Sequence, residues 1–152
     1  REGHTLFIGP AQSYEVTKRH IDIYREELDR NGHPPPEDIV LLREFFCANS
    51  RTEALEKASA GFQRKYEVYG AHGFQGSNDE LADIVTGDIE TQTDSAFVIG
   101  SPQDCIEELA RYRDLGVTQV AMRLYYPGMS QKETHEHIEL VGREVLPELH
   151  RW

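Results

Sequence analysis

Cysteine is scarce in this 152-residue chain, with Cys47 and Cys105 the only two. Two thiols do not make a disulfide scaffold, and a reducing, cytoplasmic setting is expected. Positive charge is short as well. Sixteen Lys and Arg face 27 Asp and Glu, for a net charge of −11. Nucleic acids and anionic membranes attract a positive face, so neither is an expected partner. No apolar run approaches the roughly 20 residues of a membrane helix, and no signal-peptide pattern is present. A G-x-G-x-x-G phosphate loop is missing, no Ser-His-Asp arrangement stands out, and there is no repeat or low-complexity segment. The chain opens Arg1-Glu2-Gly3-His4, without an initiating Met, and runs almost at once into apolar residues. Its first element reads as cut into, so a fragment or processed product is expected.

What is present suits one soluble globular domain. Hydrophobic residues make up 38 % and charged residues 28 %, and the length is enough to bury a useful core. Thr5 to Ile8 is a short apolar, β-prone run stopped by Gly9-Pro10. Ser13 suits an N-cap, and Tyr14, Thr17, Ile21, Tyr24 and Leu28 share one helical face up to Asn31-Gly32. Ile39 to Ala48 is apolar on both faces, as a parallel strand covered by helices requires. Ser50 and Glu53 form a capping box opening a helix to about Tyr69. Residues 70–95 are the least regular part. A short helix over Leu81 to Val85 is expected there, within a loop that is functional or mobile. Ala96 to Ile99 is a brief extended segment. Ser101-Pro102 opens a helix with Ile106, Leu109, Ala110 and Arg113 on one face, ended by Gly116. Val117 to Leu124 is the third good strand. Ser130 and Glu133 cap a last helix whose stripe is Thr134, Ile138, Val141, Val145 and Leu149. Alternating strands and helices predict an α/β fold with a parallel sheet. Three strands alone leave two open edges, which points to a piece of a larger barrel or sheet.

The strand ends carry the chemical hints. In the last strand Val120, Met122 and Leu124 point one way, and Ala121, Arg123 and Tyr125 the other. In a (β/α)8 barrel the apolar set would face the helices, leaving Arg123 and Tyr125 at the C-terminal end, where barrel enzymes keep their active sites. A guanidinium there either binds an anionic group or forms an internal ion pair. Arg43-Glu44 puts two charges inside an apolar strand. One must face the axis and the other the helices, and pairing of Glu44 with Arg123 is a specific expectation. The seven histidines do not form a metal pattern. His135 and His137 diverge on their helix, and no metal site is expected. Cys105 reads as a packed small side chain. Lys65, Tyr66 and Tyr69 either border a pocket or serve packing.

Three stretches together resemble one family. They are Leu42 to Ala48 with the helix ending Lys65-Tyr66-Glu67-Val68-Tyr69, then Phe97 to Cys105, then Met122 to Met129 leading into Ile138 to Pro147. In order and spacing they are similar to the C-terminal half of bacterial luciferase-like flavin monooxygenases, nearly end to end over the chain. Many relatives carry Trp before the Pro-Gly-Met where this chain has Tyr126. The resemblance implies a partial (β/α)8 TIM barrel over residues 1–152, roughly its last three strands with their helices, and makes 70–95 the mobile loop after the seventh strand. It implies reduced flavin, FMN or a deazaflavin coenzyme, at the C-terminal mouth. There oxygen would be activated, or hydride passed, with a small organic molecule as substrate. Much of the family's flavin site would lie outside this chain. The expected remainder is Gly9, Pro10 and Arg123 toward the cofactor, and Cys47, Tyr125 and Tyr126 toward the substrate. No general base is assigned. The rival expectation is a non-catalytic barrel fragment that folds by forming a homo-oligomer or by pairing with its missing half.

Overall fold

The computed structural model describes residues 4–10, 12–71 and 96–152. The short helix expected over 81–85 and nearly all of the expected loop lie outside those residues. Its first positions, Gly70 and Ala71, instead complete a helix.

Strand β1 (Leu6–Ile8) is followed by α1 (Tyr14–Arg30), β2 (Ile39–Cys47) and α2 (Arg51–Ala71). Then come β3 (Val98–Gly100), α3 (Pro102–Asp114), β4 (Gln119–Arg123) and α4 (Gln131–Leu140). The last helix continues through a π-turn at Val141–Val145 into α5 (Leu146–Leu149). All four strands run parallel, with β2 in the middle. Val40 and Leu41 pair with β1 and also with β4, so those two strands flank β2 on opposite edges. β3 pairs with the C-terminal end of β2, from Phe45 to Cys47. The segment expected only to be extended is therefore a fourth strand. Among the described residues it pairs with β2, beyond the stretch of β2 that meets β1.

Local signals place the helix ends. Ser13 accepts from the Val16 amide, and both Ser101–Asp104 and Ser130–Glu133 close full capping boxes. Each satisfies amides that a helix leaves open. Gly116 turns the chain from α3 into β4 with φ +87°, a conformation that side chains disfavour.

The period of β2 sorts the core into two faces. Ile39, Leu41, Phe45 and Cys47 pack against α1, α3 and the π-turn, through Ile21, Tyr112, Cys105, Leu109, Val141 and Val145. Phe46 faces the other way, against Ala54, Ala58 and Phe62 of α2. Val120, Met122 and Leu124 join the first face, as their parity predicts. Among the described residues, α2 is the helix on the second face, over the C-terminal end of β2. Toward the other end the described residues cover this face thinly, and Phe7 on the edge strand is 59 % exposed.

Two helical faces differ from the periodic reading. In α3 the buried stripe is Cys105, Leu109 and Tyr112, while Arg113 lies over the Trp152 ring. In the last helix Ile138 is 46 % exposed and His137 is buried instead. The buried set is His137, Val141 and Val145, at spacings of four. A π-turn adds a residue per turn, which moves the stripe off the 3.6 period.

Candidate active site at the strand ends

Arg43 and Glu44 are adjacent and both fully buried, on opposite faces of β2. Arg43 faces the helices. Its Nη2 donates to Thr17 Oγ1 (2.7 Å) and its Nη1 to the Gly9 carbonyl (3.0 Å). Its guanidinium also lies 4.6 Å from the Tyr112 ring centre. No carboxylate meets it among the described residues. Carbonyl, hydroxyl and aromatic face take that place, and so tie the end of β1 to α1 and α3.

Glu44 faces α2. Its Oε1 accepts from Arg123 Nη1 at 2.7 Å, from Lys65 Nζ, and from Tyr66 Oη at 3.3 Å. The expected Glu44–Arg123 pair across adjacent strands is present, in register through the Glu44–Arg123 Cα pairing. Oε2 of Glu44 is buried and has no hydrogen-bond partner among the described residues. Burial lowers the affinity of Lys65 for its proton and nearby Arg123 adds to this, while Glu44 opposes both. Lys65 extends from α2, so this ion pair docks the helix to the sheet.

Tyr126 sits behind the cluster, buried between Phe46 and Phe62, its ring 4.2 Å from that of Phe62. Its hydroxyl donates to the Arg123 carbonyl (2.7 Å) and accepts from the Phe45 amide (2.8 Å). Burial, then the Glu44 charge, pushes its phenol well up. Gly61 of α2 comes so close that a Cβ there would stand 2.9 Å from Tyr126 Cβ. Tyr125, one residue earlier, is 60 % exposed.

His137 joins the same strand ends from the helix face. Its Nε2 accepts from the Cys47 amide (2.9 Å), so Nδ1 carries the proton and donates to the Leu124 carbonyl (3.1 Å). The ring stacks on Phe46 at 4.5 Å. Burial lowers its pKa from 6.5. The unfolded chain binds this proton more readily than the folded one, so stability is full above about pH 6.5 and falls as pH drops through the folded value. Urea unfolding at pH 7.5 and 5.5 should show that loss in the wild type, and a smaller one in His137→Gln.

Cys47 is buried beneath these contacts. The adjoining Cys105 thiol draws its pKa down, while the hydrogen bond to Cys47 and burial push Cys105 up. Gly9 and Pro10 lie half-buried past the end of β1, and a Cβ on Gly9 would meet nothing within 4 Å. The structure therefore brings Arg123, Tyr125 and Tyr126 to the end of β4 and Cys47 to the neighbouring end of β2, where Cys47 packs on the opposite face, and Arg43 ties Gly9 to β2 on that same face. Among the described residues no group of three or more His, Cys, Asp or Glu could hold a metal ion. No described helix is long and apolar enough to cross a membrane. Metal-ligand spacing gives no sign of His137. The available signal was its place four and eight residues before Val141 and Val145.

The sequence pattern of the luciferase-like monooxygenase family matches residues 1–119. The chain belongs to that family. The 3,6-diketocamphane 1,6-monooxygenase of Pseudomonas putida is 26 % identical over 148 residues, covering 89 % of this chain and 39 % of the relative. Monooxygenase RslO1 from Streptomyces bottropensis superposes with a TM-score of 0.71 at 16 % identity, over 99 % of this chain and 43 % of that one. The oxygenating constituent of 3,6-diketocamphane monooxygenase from Pseudomonas putida, a type II Baeyer–Villiger monooxygenase in complex with FMN, gives 0.66 at 23 % identity. That match covers 93 % of this chain and 42 % of the other. Coenzyme F420-dependent tetrahydromethanopterin reductase from Methanopyrus kandleri gives 0.63 at 17 % identity, over 93 % and 44 %. This luciferase-like chain spans about two-fifths of the length of these relatives, and its parallel sheet is part of a TIM barrel.

Proposed function

We propose that this chain forms the C-terminal part of a flavin-dependent oxidoreductase that oxidises a small organic substrate at the C-terminal ends of its strands. The supporting observation is the luciferase-like family match combined with a buried carboxylate that presents Arg123 at the end of β4. One relative is described in complex with FMN and another as F420-dependent. Reduced FMN or the deazaflavin coenzyme is the cofactor this reading assigns. The residues fit such a group at two places: Arg123 is 32 % exposed and offers N–H donors to an anionic part, and Gly9 leaves open space at the end of β1.

The bound flavin would supply the redox chemistry, and the protein would bind, orient and shield. In this reading Arg123 anchors an anionic group, with Gly9 and Pro10 beside the cofactor. Tyr125 offers an exposed ring to the substrate, backed by Tyr126 and Cys47. Helix α2, docked through Phe62 and Lys65, keeps water from one side of the site.

Fluorescence titration of the chain with FMN and with the deazaflavin coenzyme tests this. Saturable binding of either is expected, and Arg123→Ala should weaken it at least tenfold while the far-ultraviolet circular dichroism stays unchanged. A folded wild-type chain that binds neither flavin would favour the structural-fragment reading. The unpaired outer edges of β1 and β4 among the described residues give that reading its support.

A further inference from the structure

An isolated Arg–Glu pair gains most when two parallel N–H···O bonds fill both carboxylate oxygens. Arg123 and Glu44 do not pair this way. Arg123 touches Glu44 through Nη1 alone, on Oε1, and that contact is its only guanidinium hydrogen bond among the described residues. Oε2 has no hydrogen-bond partner among the described residues although it is buried. Oε1 is already shared with Lys65 and Tyr66, which approach from α2. The carboxylate is thus held from the helix side, and the guanidinium fork is turned out of register with it. Its Nε and Nη2 make no hydrogen bond among the described residues, on a side chain that is one-third exposed at a strand end. Tyr125, the most exposed aromatic residue of the site, follows two residues later.

We infer that the outer edge of Arg123 is an oxyanion subsite, built to take a carboxylate or phosphate group in two parallel hydrogen bonds. Glu44 and Lys65 are its positioning residues. Glu44 fixes the guanidinium by one nitrogen. Lys65 occupies the shared oxygen and keeps the carboxylate from closing on both arms of the fork. The inference deepens the proposed function and rests on its reading of the strand ends as ligand-facing. Two sources share this chemistry: the phosphate of the flavin cofactor and an acidic group of the substrate.

Inorganic phosphate is the probe, read by calorimetric titration and by thermal unfolding of the 152-residue chain. Saturable binding and a rise in Tm are expected for the wild type. Arg123→Gln changes a partly exposed side chain and should fold, with phosphate affinity reduced at least tenfold. Lys65→Met should reduce it by a similar factor, Lys65→Arg should restore it, and Lys57→Met on the exposed side of α2 should leave it unchanged. Rescue by arginine separates positioning from mere loss of packing. Competition then assigns the source. Phosphate that displaces FMN but not riboflavin marks the cofactor's phosphate as occupant. Phosphate that displaces neither, while still binding through Arg123, marks an acidic substrate group. A folded wild type without saturable phosphate binding overturns the inference, as does Arg123→Gln binding like the wild type. A folded Lys65→Met that binds like the wild type overturns the positioning role. Loss of flavin binding with phosphate binding intact would instead count against the flavin reading alone.

Discussion

Replacing Glu44 with alanine is expected to destabilise the chain by about 3–5 kcal/mol, the usual cost of removing one partner from a buried ion pair. Glu44 is fully buried, and Lys65 is nearly so. Without the carboxylate, Lys65 and Arg123 would face each other across a desolvated gap, and Tyr66 would lose the same acceptor. The loss is a large share of the roughly 5–15 kcal/mol that holds an ordinary domain together. Urea unfolding of wild type and variant measures it. The double variant Glu44→Ala, Lys65→Met should recover part of the loss, because it removes the stranded cation as well. A Glu44→Ala chain as stable as the wild type would mean that the cluster is well solvated and cannot orient Arg123.

Phe62→Ala carries the second large effect, again about 3–5 kcal/mol. Phe62 is almost wholly buried and stacks on Tyr126 at 4.2 Å and against Phe97 at 5.1 Å. It is the aromatic centre of the contact between α2 and the strand ends, while the small residues Ala54 and Ala58 flank it on the helix. Truncation would leave a cavity that these rigid rings cannot close. The lost contacts lie on the sheet face that α2 covers. Limited proteolysis should therefore cut within 51–71 sooner in the variant than in the wild type, while α1 and α3, packed on the other face, stay protected. Equal cleavage throughout would show that the two faces unfold as one unit.

Much of this architecture was legible from side-chain pattern alone. The strands over 39–47 and 119–123, the capped starts at Ser13, Ser101 and Ser130, and the turn at Gly116 all follow from short-range rules. The pairing of Glu44 with Arg123 could be anticipated because two charges in apolar strands need partners, and opposite parity leaves few choices. The family resemblance rested on three stretches read in order, and the family pattern matches residues 1–119.

The chain's own residues thus determined its fold class, its helix ends and which side of each strand meets the core, since each depends on neighbours within a turn or a few strand positions. Tertiary packing decided the rest. That α2 lies on the face opposite the other helices depends on where Phe46, Phe62 and Tyr126 meet, and these are far apart in sequence. The role of Lys65 depends on the same docking, because only then does Nζ reach Glu44. His137 became a bridge between strand ends because the docked helix brings its ring to the Cys47 amide and the Leu124 carbonyl. Local spacing could not reveal the placement of α2 or the role of Lys65, because each is set by contacts that form only when distant segments are packed together.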